Sequence, residues 1–209
     1  MLVSVESEEV ERAAEFSGVK LVHVSKKRIE EVAGDGTHQG VAARVEPYPY
    51  SGIDELLAAP NPLLLVLDGV EDPRNLGAIL RAADGAGATG VVIPKDRAAA
   101  VTPAAVKASA GASEHVRVAR ETNLRRALES MKKAGVWAYA AESGGSEPSG
   151  VDLAGPVALV MGSEGSGVRR LVREGCDGAI SIPMRGHVSS LNVSVASAVL
   201  LYEALRQRG

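Results

Sequence analysis

Between residues 63 and 183 the chain returns again and again to short aliphatic runs: LLLVLDG, GVVIP, HVRVA, VWAYAA, PVALVMG and AISIP. A run that is apolar at nearly every position buries both of its faces, and a parallel sheet covered by helices on both sides provides that environment. The stretches between the runs supply the helices. They fall at 75–86, at 103–110 with Thr102 as cap and Pro103 in first position, at 123–134 between cap Asn123 and stop Gly135, and at 167–174. This alternation predicts an α/β domain with a mostly parallel sheet and helices on both faces. Aromatic residues make up only 3% of the chain, so its core must be built from Val, Leu, Ile and Ala.

Four prolines in PYPYSGIDELLAAPNP place a linker at 47–62, dividing residues 1–46 from 63–209. Ahead of it, VKLVHVS (19–25) reads as a strand, KKRIEEVAG as a short helix ending at Gly34, and GVAARV (40–45) as a second strand. Together they make a small, incomplete α/β unit. At the other end, VSSLNVSVASAVLLY begins with strand-like alternation of Leu191, Val193 and Val195 against Ser190, Asn192 and Ser194. From Asn192 to Arg208, however, no Gly or Pro interrupts the chain, and that length predicts a helix. Ser190 and Asn192 then stand at its entry, with Ser194 in the first turn.

The single cysteine, Cys176, rules out an internal disulfide and suits a reducing compartment, the cytoplasm. The longest aliphatic run, LLLVL at 63–67, is far short of the ~20 residues of a membrane span, and no signal-peptide pattern opens the chain. A soluble protein without a membrane partner is expected. The net charge of −3 is unevenly spread, with 11 acidic and 6 basic residues in 1–60 against 15 and 17 in 61–209. Arg74, Arg81, Arg169, Arg170, Arg173 and Arg185 all flank glycine-rich turns, which is where a polyanion would be met.

In parallel sheets ligands bind beyond the carboxyl ends of the strands, and three turns there are unusual. LDGVEDPRNLGAILRAADGAG carries helix-entry residues Asp72, Pro73 and Asn75, then Arg81 amid Ile79, Leu80, Ala82 and Ala83. Asn75 and Arg81 lie about 600° apart around a helix and do not share a face. VALVMGSEGSGVRRL sets Gly162, Gly165 and Gly167 around Glu164, and glycines permit a sharp turn whose N–H groups stay accessible. Glu164 reads either as a site carboxylate or as the cap of the following helix. ISIPMRGHVSSLNVSVAS joins the last strand to the terminal helix. The glycine spacing is neither GxGxxG nor a P-loop and follows a late strand, which disfavours an NAD-type Rossmann enzyme. His38 and His187 read as loop residues, and no His, Cys or carboxylate cluster has metal-ligand spacing.

On NLGAILR, LVMGSEGSGV and IPMRGHVSSLNVSVASAVLLYE, in that order, the chain resembles the SpoU class of RNA ribose 2′-O-methyltransferases, within the SPOUT superfamily. HQGVAARV and LDGVEDPRNLGAILRAADGAG extend the likeness to bacterial enzymes that methylate a guanosine of 23S ribosomal RNA. The resemblance implies a C-terminal deep trefoil knot over 63–209, S-adenosylmethionine as cofactor, RNA as partner and a homodimer. It implies that residues 1–46 are a partial L30e-like RNA-recognition domain lacking its opening helix and strand. It assigns catalysis to Arg81, Asn75, Glu164, Ser190 and Asn192, and cofactor binding to backbone groups at Gly162, Ile182, Met184 and Leu191, with no metal. A transfer-RNA ribose methylase, a resistance methylase and a non-catalytic RNA-binding or ribosome-assembly protein remain the alternatives.

Overall fold

The computed structural model describes residues 1–33 and 38–209, so the expected helix stop at Gly34 lies outside the described residues. The chain divides into two compact units, Met1–Pro47 and Tyr48–Gly209.

In the first unit β1 (Leu2–Val3) runs parallel to β2 (Val22–His23) and antiparallel to β3 (Val41–Ala42). Two helices, α1 (Glu8–Phe16) and α2 (Lys26–Ala33), complete it. β1 and α1 are elements that the sequence reading leaves out. Ser7 caps α1 by accepting from the Val10 N–H at 3.4 Å, and Glu8, Glu9 and Glu11 crowd its first turn, where the helix dipole favours negative charge. The two later strands are shorter than their apolar runs suggest, because each pairs through only two residues.

The second unit begins inside the segment expected as a linker, and there the prolines punctuate the chain without freeing it. The Tyr48 hydroxyl donates to the Val116 carbonyl at 3.0 Å, and the Tyr50 hydroxyl accepts from the Val101 N–H at 3.0 Å. Ser51 bridges to Ala119, and Leu56 of α3 (Ile53–Leu57) is fully buried.

The remaining elements follow in order: β4 (Leu63–Asp68), α4 (Pro73–Gly85), β5 (Gly90–Pro94), α5 (Pro103–Ser109), β6 (Arg117–Glu121), α6 (Leu124–Lys133), β7 (Trp137–Ser146), β8 (Val157–Gly162), α7 (Arg170–Arg173), β9 (Gly178–Ile180) and α8 (Val193–Arg208). Thr102, Asn123 and Asn192 cap α5, α6 and α8 as expected. The six strands form one sheet in the order β6-β5-β4-β8-β7-β9, and every pairing in it is parallel. Side chains alternate across β4. Leu63, Leu65 and Leu67 face the core made with α4, α5 and α8, while Leu64 and Val66 face the one made with α3, α6 and α7. Helices thus cover both faces.

In the second unit α7 and β7 differ most in length from expectation. The helix expected at 167–174 is the single turn α7, because Gly167, at φ 66°, still belongs to the turn that closes on Ser163. β7 runs on to Ser146, which pairs with Ile180 beyond a break in register after Ala141. The strand order brings β8, late in the chain, beside β4, early in it. Their carboxyl ends open a crevice where the connections leave in different directions.

Candidate functional site

Asp68 ends β4 and is paired in register with Gly162, which ends β8, so the turns after these two strands start side by side. From the first, Asp72 caps α4 by accepting from the Arg74 N–H at 2.8 Å, placing Asn75 in the first turn. From the second, Ser163 and Gly167 exchange backbone hydrogen bonds at 3.2 and 3.0 Å, and the Ser163 and Ser166 hydroxyls meet at 2.5 Å. A Cβ on Gly162 would stand 2.0 Å from the Gly167 carbonyl carbon. Glycine at 162 is therefore demanded by the turn folding back on its own strand, rather than by the approach of a ligand. Glu164 stands at the tip.

The third turn delivers Asn192 to the same place. Its Nδ2 donates to Glu164 Oε1 at 2.7 Å and to Asn75 Oδ1 at 3.1 Å, and Asn75 Nδ2 donates to Glu164 Oε1 at 3.3 Å. The Asn192 Oδ1 accepts from the backbone N–H and the hydroxyl of Ser194, at 2.9 and 2.6 Å. Both ends of the amide are thus committed, which fixes its orientation. One residue caps α8 and ties it to the other two turns. Glu164 does not cap α7, whose preceding residue Arg169 makes no side-chain cap bond.

Around this knot of side chains lies a cavity of about 720 Å³. Gly162, Glu164, Ile182, Met184, Ser190, Leu191 and Asn192 all line it. Asn75 lines a neighbouring cavity of about 390 Å³ that shares Ser163, Glu164 and Val193 with the larger one. Small-molecule sites usually occupy ~300–1,000 Å³. Glu142, in β7 just past the break in register after Ala141, is a wall residue that sequence reasoning missed. Its carboxylate accepts from Arg173 Nε at 2.6 Å, and its apolar-run setting gave no signal of a site.

Arg81 lies elsewhere. It is exposed on α4 and lines a separate groove with Ala78, Ala82, Gly85, Ser109 and Tyr202. Its apolar neighbours Ile79, Leu80 and Ala83 are buried in the core, so they say nothing of the guanidinium's own surroundings. Among the described residues no cluster of His, Cys, Asp or Glu could hold a metal, and no helix is long and apolar enough to cross a membrane.

With this geometry in hand, comparison with known proteins is informative. A family model described as SpoU rRNA Methylase family matches residues 62–202, and one described as RNA 2′-O ribose methyltransferase substrate binding matches residues 4–51. The 23S rRNA (guanosine-2′-O-)-methyltransferase RlmB of Ralstonia nicotianae is 49% identical over 201 residues, which are 94% of this chain and 81% of that one. A protein of the same name from Photobacterium profundum is 48% identical over 91% of this chain and 80% of its own length. Among solved structures, the AdoMet-bound rRNA methyltransferase from Sinorhizobium meliloti superposes with a TM-score of 0.80 at 28% identity, covering 95% of this chain and 76% of that one.

Proposed function

This chain belongs to the SpoU rRNA methylase family, and on that footing we propose that it transfers a methyl group from S-adenosylmethionine to the ribose 2′-hydroxyl of a guanosine in 23S ribosomal RNA. The observation that carries this reading is the meeting of three turns through Asn75, Glu164 and Asn192 between two adjoining cavities. The residues present fit the donor. The volume suits a nucleoside, the wall includes Gly162, Ile182, Met184 and Leu191, whose main chain the family likeness assigns to the donor, and Glu142 and Glu164 supply negative charge. S-adenosylmethionine carries an electrophilic methyl on a cationic sulfur, to which those carboxylates are complementary.

The chain's own task is then to hold a sugar hydroxyl in line with that methyl and to manage its proton. Positioning of this kind contributes several kcal/mol by itself, up to about 7–11 in favourable cases. Asn75, Glu164, Ser190 and Asn192 provide it at the edge of the cavity. Arginine is a poor base because its guanidinium stays protonated, so Arg81 serves as a fork that grips phosphate or stabilises developing alkoxide charge.

Arg81 reaches a cavity if the enzyme is a homodimer, and α8 supports that reading. Val195, Val199, Tyr202 and Leu205 form an exposed apolar stripe along it. Val195 stands near the cavity end of α8, whereas Tyr202, ~10 Å further along the axis, lines the groove that holds Arg81. An antiparallel two-fold pairing across the stripe, self-complementary as such interfaces are, sets the Tyr202 end of one α8 against the Val195 end of the partner's. Arg81 of one copy is thereby carried toward the cavity of the other.

The remaining assignments rest on the family likeness. Residues 1–46 form a partial L30e-like RNA-recognition domain, 47–62 the connection, and 63–209 the methyltransferase domain with its C-terminal trefoil knot. The match of residues 4–51 to the substrate-binding model supports the first, and the match of residues 62–202 to the methylase model supports the last. The site of action is the cytoplasm.

The test is methyl transfer from labelled S-adenosylmethionine to 23S ribosomal RNA, with the product digested and mapped by mass. Label on the ribose of a guanosine supports the proposal. Label accepted only by transfer RNA replaces the substrate, and failure to bind the donor at all overturns the activity.

A further inference from the structure

Asp68 is a charged side chain buried within the sheet: it is 1% exposed, in a strand otherwise made of Leu and Val. Its Oδ2 accepts from the Arg169 backbone N–H at 2.7 Å, its Oδ1 accepts from Arg169 Nε at 2.6 Å, and Nη2 completes the ion pair 2.5 Å from Oδ1. A buried carboxylate is costly to hold in place, and its retention needs a fully paired geometry of this kind.

The pairing spans 101 residues of sequence, and what it closes is the turn that carries Glu164. One end of the turn is fixed because Gly162 is hydrogen-bonded into the sheet opposite Asp68. The other end, at Arg169, leads into α7, a helix of only four residues with no side-chain cap. Between them the Ser163–Gly167 bonds set the shape of the turn but not its position. Asp68 supplies that position. It holds Arg169 by the main chain and by one edge of the guanidinium at once, while Asn75 and Asn192 hold the Glu164 tip.

We propose that the Asp68–Arg169 pair is a positioning device for the methyl-transfer site, acting through Glu164 by fixing the far end of its turn. The inference rests on the reading of the adjoining cavity as the methyl-donor site. Asp68 touches no reacting atom; its effect on turnover passes through Glu164.

The experiment is a double-mutant cycle on the full chain, comparing Asp68→Asn, Glu164→Gln and the double variant by kcat, by KM for each substrate and by calorimetric binding of S-adenosylhomocysteine. Asp68→Asn keeps the shape but replaces an acceptor oxygen with an amine facing the guanidinium. Misplacement of a site group by ~1 Å can cost on the order of 100-fold in rate. The expected result is a loss of about 10- to 100-fold in kcat for Asp68→Asn, shrinking to less than about threefold in the Glu164→Gln background, since groups acting as one unit are non-additive. Arg169→Lys, which keeps the backbone donor and the charge but loses the fork, is expected to fall between wild type and Asp68→Asn, and it carries the same cycle if Asp68→Asn fails to fold. Wild-type turnover in Asp68→Asn, or the same fold-loss in both backgrounds, overturns the inference. Absence of S-adenosylhomocysteine binding by the wild type would instead overturn the reading of the cavity on which it rests.

Discussion

Replacing Gly162 by alanine tests how tightly the site depends on the glycine turn. The added Cβ would stand 2.0 Å from Gly167 C, 2.3 Å from Val168 N and 2.4 Å from Gly167 O, all of them backbone atoms. No side-chain rotamer can relieve such contacts. Ordinary carbon contact begins near ~3.4 Å, so strand and turn must separate by about 1.4 Å. That displacement is enough to break the paired Ser163–Gly167 hydrogen bonds, at 3.2 and 3.0 Å, and to draw the Glu164 tip away from Asn192. Overpacking of this kind costs ~1–3 kcal/mol of stability, and the shift at the site costs on the order of 100-fold in kcat. Thermal melts and steady-state methyl transfer give the two numbers. Gly155→Ala, where a Cβ meets nothing within 4 Å, is the matched control. Wild-type kinetics in Gly162→Ala would show that the position of the turn does not matter to the chemistry.

Other perturbations probe separate parts of the account. Asn192→Ala removes a helix cap and the main donor to Glu164, so it should cost about 1 kcal/mol of stability and most of the turnover. Asn192→Asp keeps the cap oxygen but sets a second carboxylate against Glu164, and should therefore melt closer to wild type while remaining inactive. If Arg81 acts across a dimer, mixing Arg81→Ala with Glu164→Ala subunits restores one intact site per heterodimer, and activity should reappear; silent mixtures would place Arg81 in its own chain's site. Arg81→Lys, which retains charge without the fork, should stay well below wild-type turnover. Cys176, whose thiol is pushed up to about 12 by burial, should resist alkylation at pH 8 until the protein is denatured. Hydrogen bonds from Arg206 and Gln207 hold Glu203 down at about 2. Its stabilisation is present above the ordinary carboxylate range and is lost as pH falls from about 4.5 toward 2, so Glu203→Gln should flatten the acid limb of the stability curve there.

The layout of the sheet domain was legible because its signals are local. Runs such as LLLVL and VALVM announce buried strands on their own, and Thr102, Asn123 and Asn192 announce helix starts through single side chains. What escaped is non-local or weakly periodic. No run of residues reveals that β8 inserts beside β4, although the whole site depends on it. β1 pairs through two residues and α1 is rich in Glu, so neither stands out. Proline count marked 47–62 as a connection but could not show that Tyr48, Tyr50 and Leu56 are anchored. For the site, motif order pointed to three turns that the fold brings together, yet the separation of Arg81 from the cavity is a matter of helix face and tertiary packing. Asp68 had a readable signal that went unused: an acid directly following five aliphatic residues must find a cationic partner.

Hydrogen exchange of the full chain with and without saturating S-adenosylhomocysteine tests the claim that the glycine turn and the 181–192 turn wall one donor pocket. Slowed exchange confined to amides of 162–168, 181–184 and 189–194 is the result this geometry requires. Protection in another part of the sheet, or in only one of the three segments, would contradict it.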